Sequence, residues 1–149
     1  MAQEGQAPVN HNPFVKNNGA KASKKTTVIP LPFFEDFNGP GQSPDPSRWL
    51  DVHVYVNNTM AFNPVSRGVA TFDALNAKGG PYDSLSNTAY RYADSLTSQP
   101  FDFTLYTPAD SIYLSFFIQP QGNGFAPETQ DSMILYFKRS NGAWAKVWS

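Results

Sequence analysis

Few side chains in this sequence have the types and spacing that catalysis or metal binding requires. Glu35 and Asp36 are adjacent acids in a strand-like segment, so they point to opposite faces and cannot act as a close carboxylate pair. His11 lies in a polar tail and His53 in a predicted strand, and there is no cysteine to complete a zinc site. No serine lies in a G-x-S-x-G nucleophile turn. The residue types alone therefore name no reaction.

Composition limits the classes of protein to which this chain can belong. Its 149 residues include 11 basic and 12 acidic side chains, a balance that argues against a nucleic-acid-binding protein. No apolar run approaches the roughly 18 residues that a membrane-spanning helix needs, so we expect no membrane insertion. The sequence combines 12 Phe, 7 Tyr and 3 Trp with 13 Pro and 10 Gly. Many aromatic residues among many chain breakers favour short strands joined by turns.

Period-two alternation of apolar residues predicts the strands that would position any site. The segment RWLDVHVYVNN places Leu50, Val52, Val54 and Val56 on one face, as in a half-buried strand. The segment from Ser111 to Pro120 is the strongest strand prediction, and apolar residues on both of its faces favour a central position. No segment has a convincing helical period of 3.6. The sequence therefore predicts an all-β protein.

The last predicted element is a β-hairpin around Asn141-Gly142, a pair that favours a two-residue type I′ turn. That turn would pair the residues of the two strands as follows: Leu135 with Trp148, Phe137 with Lys146, and Arg139 with Trp144. Arg139 would then lie over the Trp144 ring. One apolar edge of this hairpin would stay unpaired, which complete domains usually avoid, so we expect further sheet beyond Ser149.

The sequence divides into two regions. Residues 1–28 are polar and lack periodicity, so we expect a disordered or extended N-terminal tail. Residues 29–149 carry all the predicted strands and form the folded domain. Met1 is followed by the polar stretch AQEGQAPVN, which does not resemble a signal peptide. From the residues alone, a cytosolic protein and one that has lost a cleaved signal peptide are equally compatible with this start.

Several stretches carry a family resemblance: FFEDFNG at Phe33 to Gly39 with the Pro-Asp-Pro loop and Trp49 that follow, SRGVATFDALNAKGGPYD, ADSLTSQPFDF, IYLSFFIQPQGNGFAPETQDSMILYFK and GAWAKVWS. Together they resemble a MAM-like, concanavalin A-like jelly roll of large Bacteroidota surface proteins. In those proteins the domain often lies upstream of a gliding-motility-type or type IX secretion sorting domain. The resemblance runs from about Leu31 to the last residue, and it implies an antiparallel β-sandwich of jelly-roll type.

The resemblance also implies a truncated domain and a location. Family members continue with further strands after the tryptophan-bearing segment, so we expect this chain to be the N-terminal part of a jelly roll, with a C-terminal remainder in the parent protein. Such proteins are secreted or attached to the cell surface. MAM-like domains can hold a cation near the first strand, which makes Ca²⁺ at Asp36 conceivable; the default is a surface acid and no cofactor.

The function that the resemblance implies is non-catalytic adhesion or recognition of a glycan or a surface protein. Exposed aromatic rings could stack on sugars, and the candidates near loops or on solvated faces are Tyr55, Phe62, Tyr82 and Tyr90. Core filling is the competing role for each of them. A structural spacer is one alternative function.

A carbohydrate-active enzyme is the other alternative, since concanavalin A-like folds include glycoside hydrolases. Those enzymes need two carboxylates about 5–9.5 Å apart across a cleft. No predicted strand carries acids at i and i+2 or i+4, and the candidate acids each stand alone: Asp51, Asp73 and Asp102. We therefore predict that the chain is not an enzyme.

The resemblance further suggests O-glycosylation at four Asp-Ser-aliphatic triplets, whose aspartates are Asp83, Asp94, Asp110 and Asp131. Exported Bacteroidota proteins can be glycosylated at such triplets. Turn formation is the simpler interpretation, because Asp and Ser side chains bond to nearby backbone groups where strands begin.

Overall fold

The regular elements of this protein are short and almost all antiparallel strands. A computed structural model describes residues 11–15, 26–82 and 92–149. Its elements, in chain order, are β1 (Tyr55–Asn57), β2 (Val69–Thr71), a single-turn 3₁₀ helix (Pro108–Asp110), β3 (Leu135–Lys138) and β4 (Trp144–Trp148). Strands β1 and β2 form one two-stranded sheet, and β3 and β4 form another. The described residues contain no α-helix, which confirms the all-β prediction at this level.

The two sheets leave the long connections without regular structure. Of the predicted tail, the described residues 11–15 and 26–28 include no helix or strand. No helix in the described ranges is long and apolar enough to cross a bilayer.

The core lies around β1, where the alternation of apolar residues predicted a half-buried strand. Val54 and Val56 are buried, and Leu75 is the third buried large apolar side chain among the described residues. Only Tyr55–Asn57 of the predicted segment pairs as a strand, with β2 opposite it. The predicted buried face is therefore confirmed at Val54 and Val56, whereas Leu50 and Val52 are only partly buried and the predicted length of paired strand is wrong.

A second part of the scaffold is the segment 97–102, which bridges two other segments. It meets Trp49 through an antiparallel bridge at Ser98 and Ile29 through a parallel bridge at Phe101. These contacts join the segments around Ile29 and Trp49 to one shared segment. Each contact is an isolated bridge of one residue pair, so neither the segment around Ile29 nor the one around Trp49 forms a strand at this contact.

One fully buried glutamine ties these segments together. Gln99 has 0% exposure, and its side-chain Oε1 accepts a hydrogen bond from the Thr27 N–H at 3.1 Å. Its Nε2 donates to the Pro46 carbonyl at 2.9 Å, and its backbone N–H donates to the Arg48 carbonyl at 2.8 Å. One residue thus bonds to backbone groups of two other segments, the one at Thr27 and the one from Pro46 to Arg48.

A half-buried carboxylate organises the aromatic side chains beside this glutamine. Glu35 accepts bonds from the Trp49 indole at 3.0 Å and the Phe37 N–H at 2.8 Å. It also forms the single ion pair of the described residues, with Arg48 at 3.3 Å. Phe37 stacks on Trp49, with ring centroids 5.6 Å apart, and Phe33 meets Trp49 edge-on at 6.0 Å. Glu35 therefore has a structural role.

The β3–β4 hairpin is confirmed, but its turn differs from the prediction. Gly142 has a φ of +84°, but the φ of Asn141 is not positive. A type I′ turn needs positive φ at both central residues, so it is ruled out. The Arg139 N–H instead bonds to the Ala143 carbonyl and the Gly142 N–H to the Arg139 carbonyl, which makes a three-residue loop. The Asn141 side chain accepts the Ala143 N–H at 3.0 Å, so its amide caps the turn.

The longer loop shifts the cross-strand register by one residue near the turn. Lys138, and not Arg139, pairs with Trp144, and its Nζ lies 5.5 Å from the indole centroid. A bulge after Leu135 restores the predicted pairing of Leu135 with Trp148 at the far end. A cation–π contact at Trp144 is thus present, but Lys138 supplies the cation in place of the predicted Arg139.

The segment from Ser111 to Pro120 is not a paired strand, although its side chains alternate as predicted. Four residues are 42–56% exposed, and they are the ones predicted to share a face: Ile112, Leu114, Phe116 and Ile118. Tyr113 and Phe117 between them are 86–87% exposed. The Phe116 ring meets Trp148 edge-on at 5.8 Å. The alternation therefore reflects an extended backbone with one face toward the hairpin. This segment lacks the hydrogen-bonded neighbouring strands that a central strand has.

The burial of Gln99 leads to a prediction about stability. Replacing Gln99 with Leu fills the site but removes the hydrogen bonds to the Thr27 N–H and the Pro46 carbonyl, whose loss costs about 0.5–1.5 kcal/mol each because both residues are exposed. We expect Gln99→Leu to lower the free energy of unfolding by about 1–3 kcal/mol, measured by urea denaturation.

The matched control is Gln130→Leu, because Gln130 is exposed. Its effect should stay within about 0.5 kcal/mol of zero. Equal losses in the two variants would contradict the role assigned to Gln99.

Candidate functional site

The structure separates the four predicted ligand-binding aromatics. Phe62 is 64% exposed and has no ring partner among the described residues. Tyr55 is only partly exposed, and its hydroxyl accepts a bond from Gln42 Nε2 at 3.3 Å. Tyr82 lies in a network of polar side chains, and Tyr90 lies outside the described residues. Phe62 is thus the predicted residue whose ring is free to meet a ligand.

The loop that carries Phe62 is held by a side-chain amide from a distant segment. Gln119 Oε1 accepts the Phe62 N–H at 3.0 Å, and Gln119 Nε2 donates to the Phe62 carbonyl at 2.8 Å. This pair of bonds mimics one rung of a β-ladder, with a side chain in place of a strand. Both backbone polar groups of Phe62 are therefore fixed while its ring projects to solvent.

A second amide from the same segment fixes the residues just before Phe62. Asn123 Nδ2 donates to the Thr59 carbonyl at 3.0 Å and to the Ala61 carbonyl at 3.3 Å. The Asn123 N–H donates to the Met60 carbonyl at 2.7 Å. Gly122 permits this close approach, because a Cβ there would collide with the Met60 carbonyl oxygen. The two loops therefore form one connected surface.

We call this surface the loop platform and define it by five residues: Met60, Phe62, Gln119, Asn123 and Phe125. Phe125 follows Asn123 by two residues and is 99% exposed. Its ring is therefore open to solvent, as the Phe62 ring is. The platform combines exposed aromatic rings with a loop that side-chain amides hold in place.

The structure also places the predicted calcium ligand. The Asp36 carboxylate accepts a bond from Asn38 Nδ2 at 3.1 Å, and the Asp36 carbonyl accepts the Gly68 N–H at 2.9 Å. Within residues 11–15, 26–82 and 92–149, no group of three or more acidic, His or Cys side chains is arranged to hold a metal ion. Asp36 thus bonds to a nearby side chain and to the backbone of a distant segment, and calcium binding there stays a prediction.

A network of polar side chains that the sequence analysis missed lies around Tyr82. The Tyr82 hydroxyl donates to Asp94 Oδ1 at 2.9 Å, and the second oxygen, Oδ2, accepts the Ala74 N–H at 2.7 Å. His53 Nδ1 lies 3.1 Å from the Tyr82 oxygen, with the rings stacked at 6.2 Å. When Asp94 is ionised it receives the single proton of the phenol, and His53 Nδ1 then donates to the Tyr82 oxygen.

Burial makes the carboxylates of this network hard to ionise. It raises the pKa of Asp94 to about 6, against hydrogen bonds from Tyr82 and Ala74 that lower it. Burial likewise raises the pKa of Asp51 and of Asp73. The pKa of Tyr82 rises as well, first through burial and then through its bond to Asp94. One oxygen of Asp51, Oδ1, is buried without a hydrogen-bond partner.

Local spacing could not have found this network, because its acids come from three separate segments. Asp51 and Asp73 each stand alone in sequence, as predicted, and the fold brings their charges within range of Tyr82. A carboxyl whose pKa lies near 6 is suited to donating a proton in catalysis. Both oxygens of Asp94 are already bonded within the protein, however, so the geometry fits a cross-link between segments better than an open acid.

Three of the four Asp-Ser-aliphatic triplets lie within the described residues, and their aspartates bond to backbone groups. Asp110 Oδ2 accepts the Thr107 N–H and hydroxyl, and these bonds lower the pKa of Asp110. Asp131 Oδ2 accepts the Glu128 N–H at 2.9 Å. The prediction of turn formation is confirmed at these two positions. Glycosylation stays a prediction.

Comparison with known proteins adds no relative to these observations. No protein-family model, curated protein or solved structure that was compared with the chain matches it. The geometry of the loop platform and of the polar network is therefore the basis for any functional argument.

The raised pKa of Asp94 predicts an unusual dependence of stability on pH. Since the folded value of about 6 exceeds the unfolded value of 3.8, folding favours the protonated acid. The resulting stabilisation is fully present below pH 3.8 and is lost as the pH rises through about 6. Because Asp94 is partly exposed, we expect a change of roughly 1 kcal/mol after solvent screening.

The measurement is urea unfolding of the wild type and of Asp94→Asn between pH 4 and pH 8. Their difference isolates Asp94, since all other titrating groups occur in both proteins. The wild type should lose stability relative to the variant as the pH rises. In Tyr82→Phe, which lacks the phenol that lowers the pKa of Asp94, the same loss should occur at higher pH. A difference that does not change with pH would refute the prediction.

Proposed function

We propose that this chain is a non-catalytic recognition module that binds a glycan through the loop platform. The observation that carries this proposal is the presentation of Phe62: its ring is 64% exposed, while Gln119 bonds to both of its backbone polar groups. A ring held this way loses little conformational freedom on binding, which favours affinity. Neutral sugars suit such a surface, because their C–H faces stack on aromatic rings and their hydroxyls bond to amides.

The setting of the proposed module follows from the sequence resemblance. An antiparallel sandwich of jelly-roll type, in a secreted or cell-surface protein of the MAM-like class, would expose its loops to extracellular glycans. The two small antiparallel sheets agree with the β class of that fold. Catalysis receives less support, because the acids nearest to a catalytic arrangement are engaged in hydrogen bonds within the protein.

The variant that tests the proposal is Phe62→Ala. We expect it to weaken binding to the best ligand found on an array of neutral polysaccharides by about tenfold, a typical loss for a central aromatic contact. The free energy of unfolding should change by less than about 0.5 kcal/mol, since the ring is exposed. Affinity can be measured by isothermal titration calorimetry and stability by urea unfolding.

The matched control is Phe72→Ala, which removes a ring that is exposed but lies outside the loop platform. This variant should bind like the wild type. Array binding that Phe62→Ala leaves intact would reject the loop platform as the site. If no polysaccharide binds, the spacer function becomes the better account.

A further inference from the structure

The two faces of the β3–β4 hairpin differ in chemistry. Cross-strand partners share a face, so Tyr136 lies with Lys146 and Lys138 lies with Trp144. Since residues i and i+2 of a strand also share a face, these four residues form one surface, which we call the basic hairpin face. The bulge between Leu135 and Tyr136 interrupts this alternation, so Trp148 pairs with Leu135 on the opposite, apolar face, where its ring contacts Phe116.

The basic hairpin face carries positive charge without a compensating acid. Lys138 and Lys146 are both exposed, and neither forms an ion pair within the described part of the chain. No Asp or Glu occurs between residue 132 and Ser149, whereas Arg139 adds a third cation at the end of the hairpin. Since these three cations are among the 11 basic side chains of the whole chain, the rest of the chain has 8 basic against 12 acidic side chains. The positive charge of this face is therefore a local feature.

The rings on the same face are accessible and ordered. Trp144 is 53% exposed and Tyr136 is 36% exposed. The Lys138 ammonium lies 5.5 Å from the Trp144 ring centroid, which fixes the lysine beside the indole. Lysines 138 and 146 are diagonal cross-strand neighbours, a relation that separates their Cα atoms by about 7–8 Å. One flexible chain of sugars can therefore contact both cations and both rings.

We propose that the basic hairpin face binds an acidic polysaccharide, one whose sugar rings carry carboxylates. Charge complementarity between its carboxylates and the two lysines supplies attraction, and the faces of Trp144 and Tyr136 supply stacking. A nucleic acid fits less well, because single-strand binding uses a basic groove that follows several nucleotides, and β3 and β4 offer a short, flat surface. This site is separate from the loop platform and does not depend on the function proposed for it.

The experiment measures binding of the full chain to polygalacturonate by calorimetry at low salt. The double variant Lys138→Gln/Lys146→Gln should weaken binding about tenfold, which corresponds to about 1.4 kcal/mol. Binding by the wild type should also weaken as salt is added. Both lysines are exposed, so thermal unfolding should show the variant as stable as the wild type.

The matched control is Arg67→Gln/Lys78→Gln, which removes the same charge from exposed positions outside the hairpin. It should bind polygalacturonate like the wild type, and Phe62→Ala should do so too. Neutral galactan and poly-L-glutamate should bind at least tenfold more weakly than polygalacturonate, since each lacks either the charge or the sugar rings. Equal losses in the two double variants, equal binding of poly-L-glutamate, tighter binding of oligo-dT, or no binding of polygalacturonate would each overturn the proposal.

Discussion

The buried amide of Gln99 is the constraint on which the rest of this structure depends. It has no exposed surface, so each of its polar atoms must find a partner within the protein. Those partners are backbone groups of Thr27 and Pro46, which are 72 and 53 residues away in sequence. Beside this glutamine the backbone forms one bridge, between Ile29 and Phe101, and Pro30 and Pro100 lack the N–H donors that a longer ladder would need. The glutamine side chain adds hydrogen bonds where that ladder ends.

Side-chain amides also link other pairs of segments. Gln119 and Asn123 join their segment to the loop around Phe62 through side-chain amides, and Asn57 bonds to Thr71 across β1 and β2 at 2.7 Å. Amide groups carry both a donor and an acceptor, so each can replace a backbone rung. This substitution explains how a chain with so few paired strands keeps its loops in fixed positions. It also holds the backbone of Phe62 while the ring stays exposed.

The sequence predicted local geometry better than long-range partners. Alternation found the buried face at Val54 and Val56, and Asn141-Gly142 located the hairpin, because both signals arise from neighbouring residues. The predicted two-residue loop was wrong because the Asn141 side chain accepts a hydrogen bond from the Ala143 N–H and caps a longer turn. The Asn-Gly pair alone does not reveal that bond. The segment from Ser111 to Pro120 alternates without pairing, since alternation reports an extended backbone and says nothing about its neighbours. The Asp94 network escaped prediction because distant segments contribute its members.

The distribution of charge on the hairpin bears on its tendency to associate with itself. Strand β4 reads Trp-Ala-Lys-Val-Trp, and two copies aligned antiparallel over their full length would place Lys146 opposite Lys146. Like charges directly opposite each other destabilise a strand pair, and lysine on an edge strand is a common protection against aggregation. The tryptophans at both ends would otherwise favour that pairing. A lysine that repels an identical copy attracts a carboxylate, so one residue opposes self-association and leaves the face open to an acidic ligand.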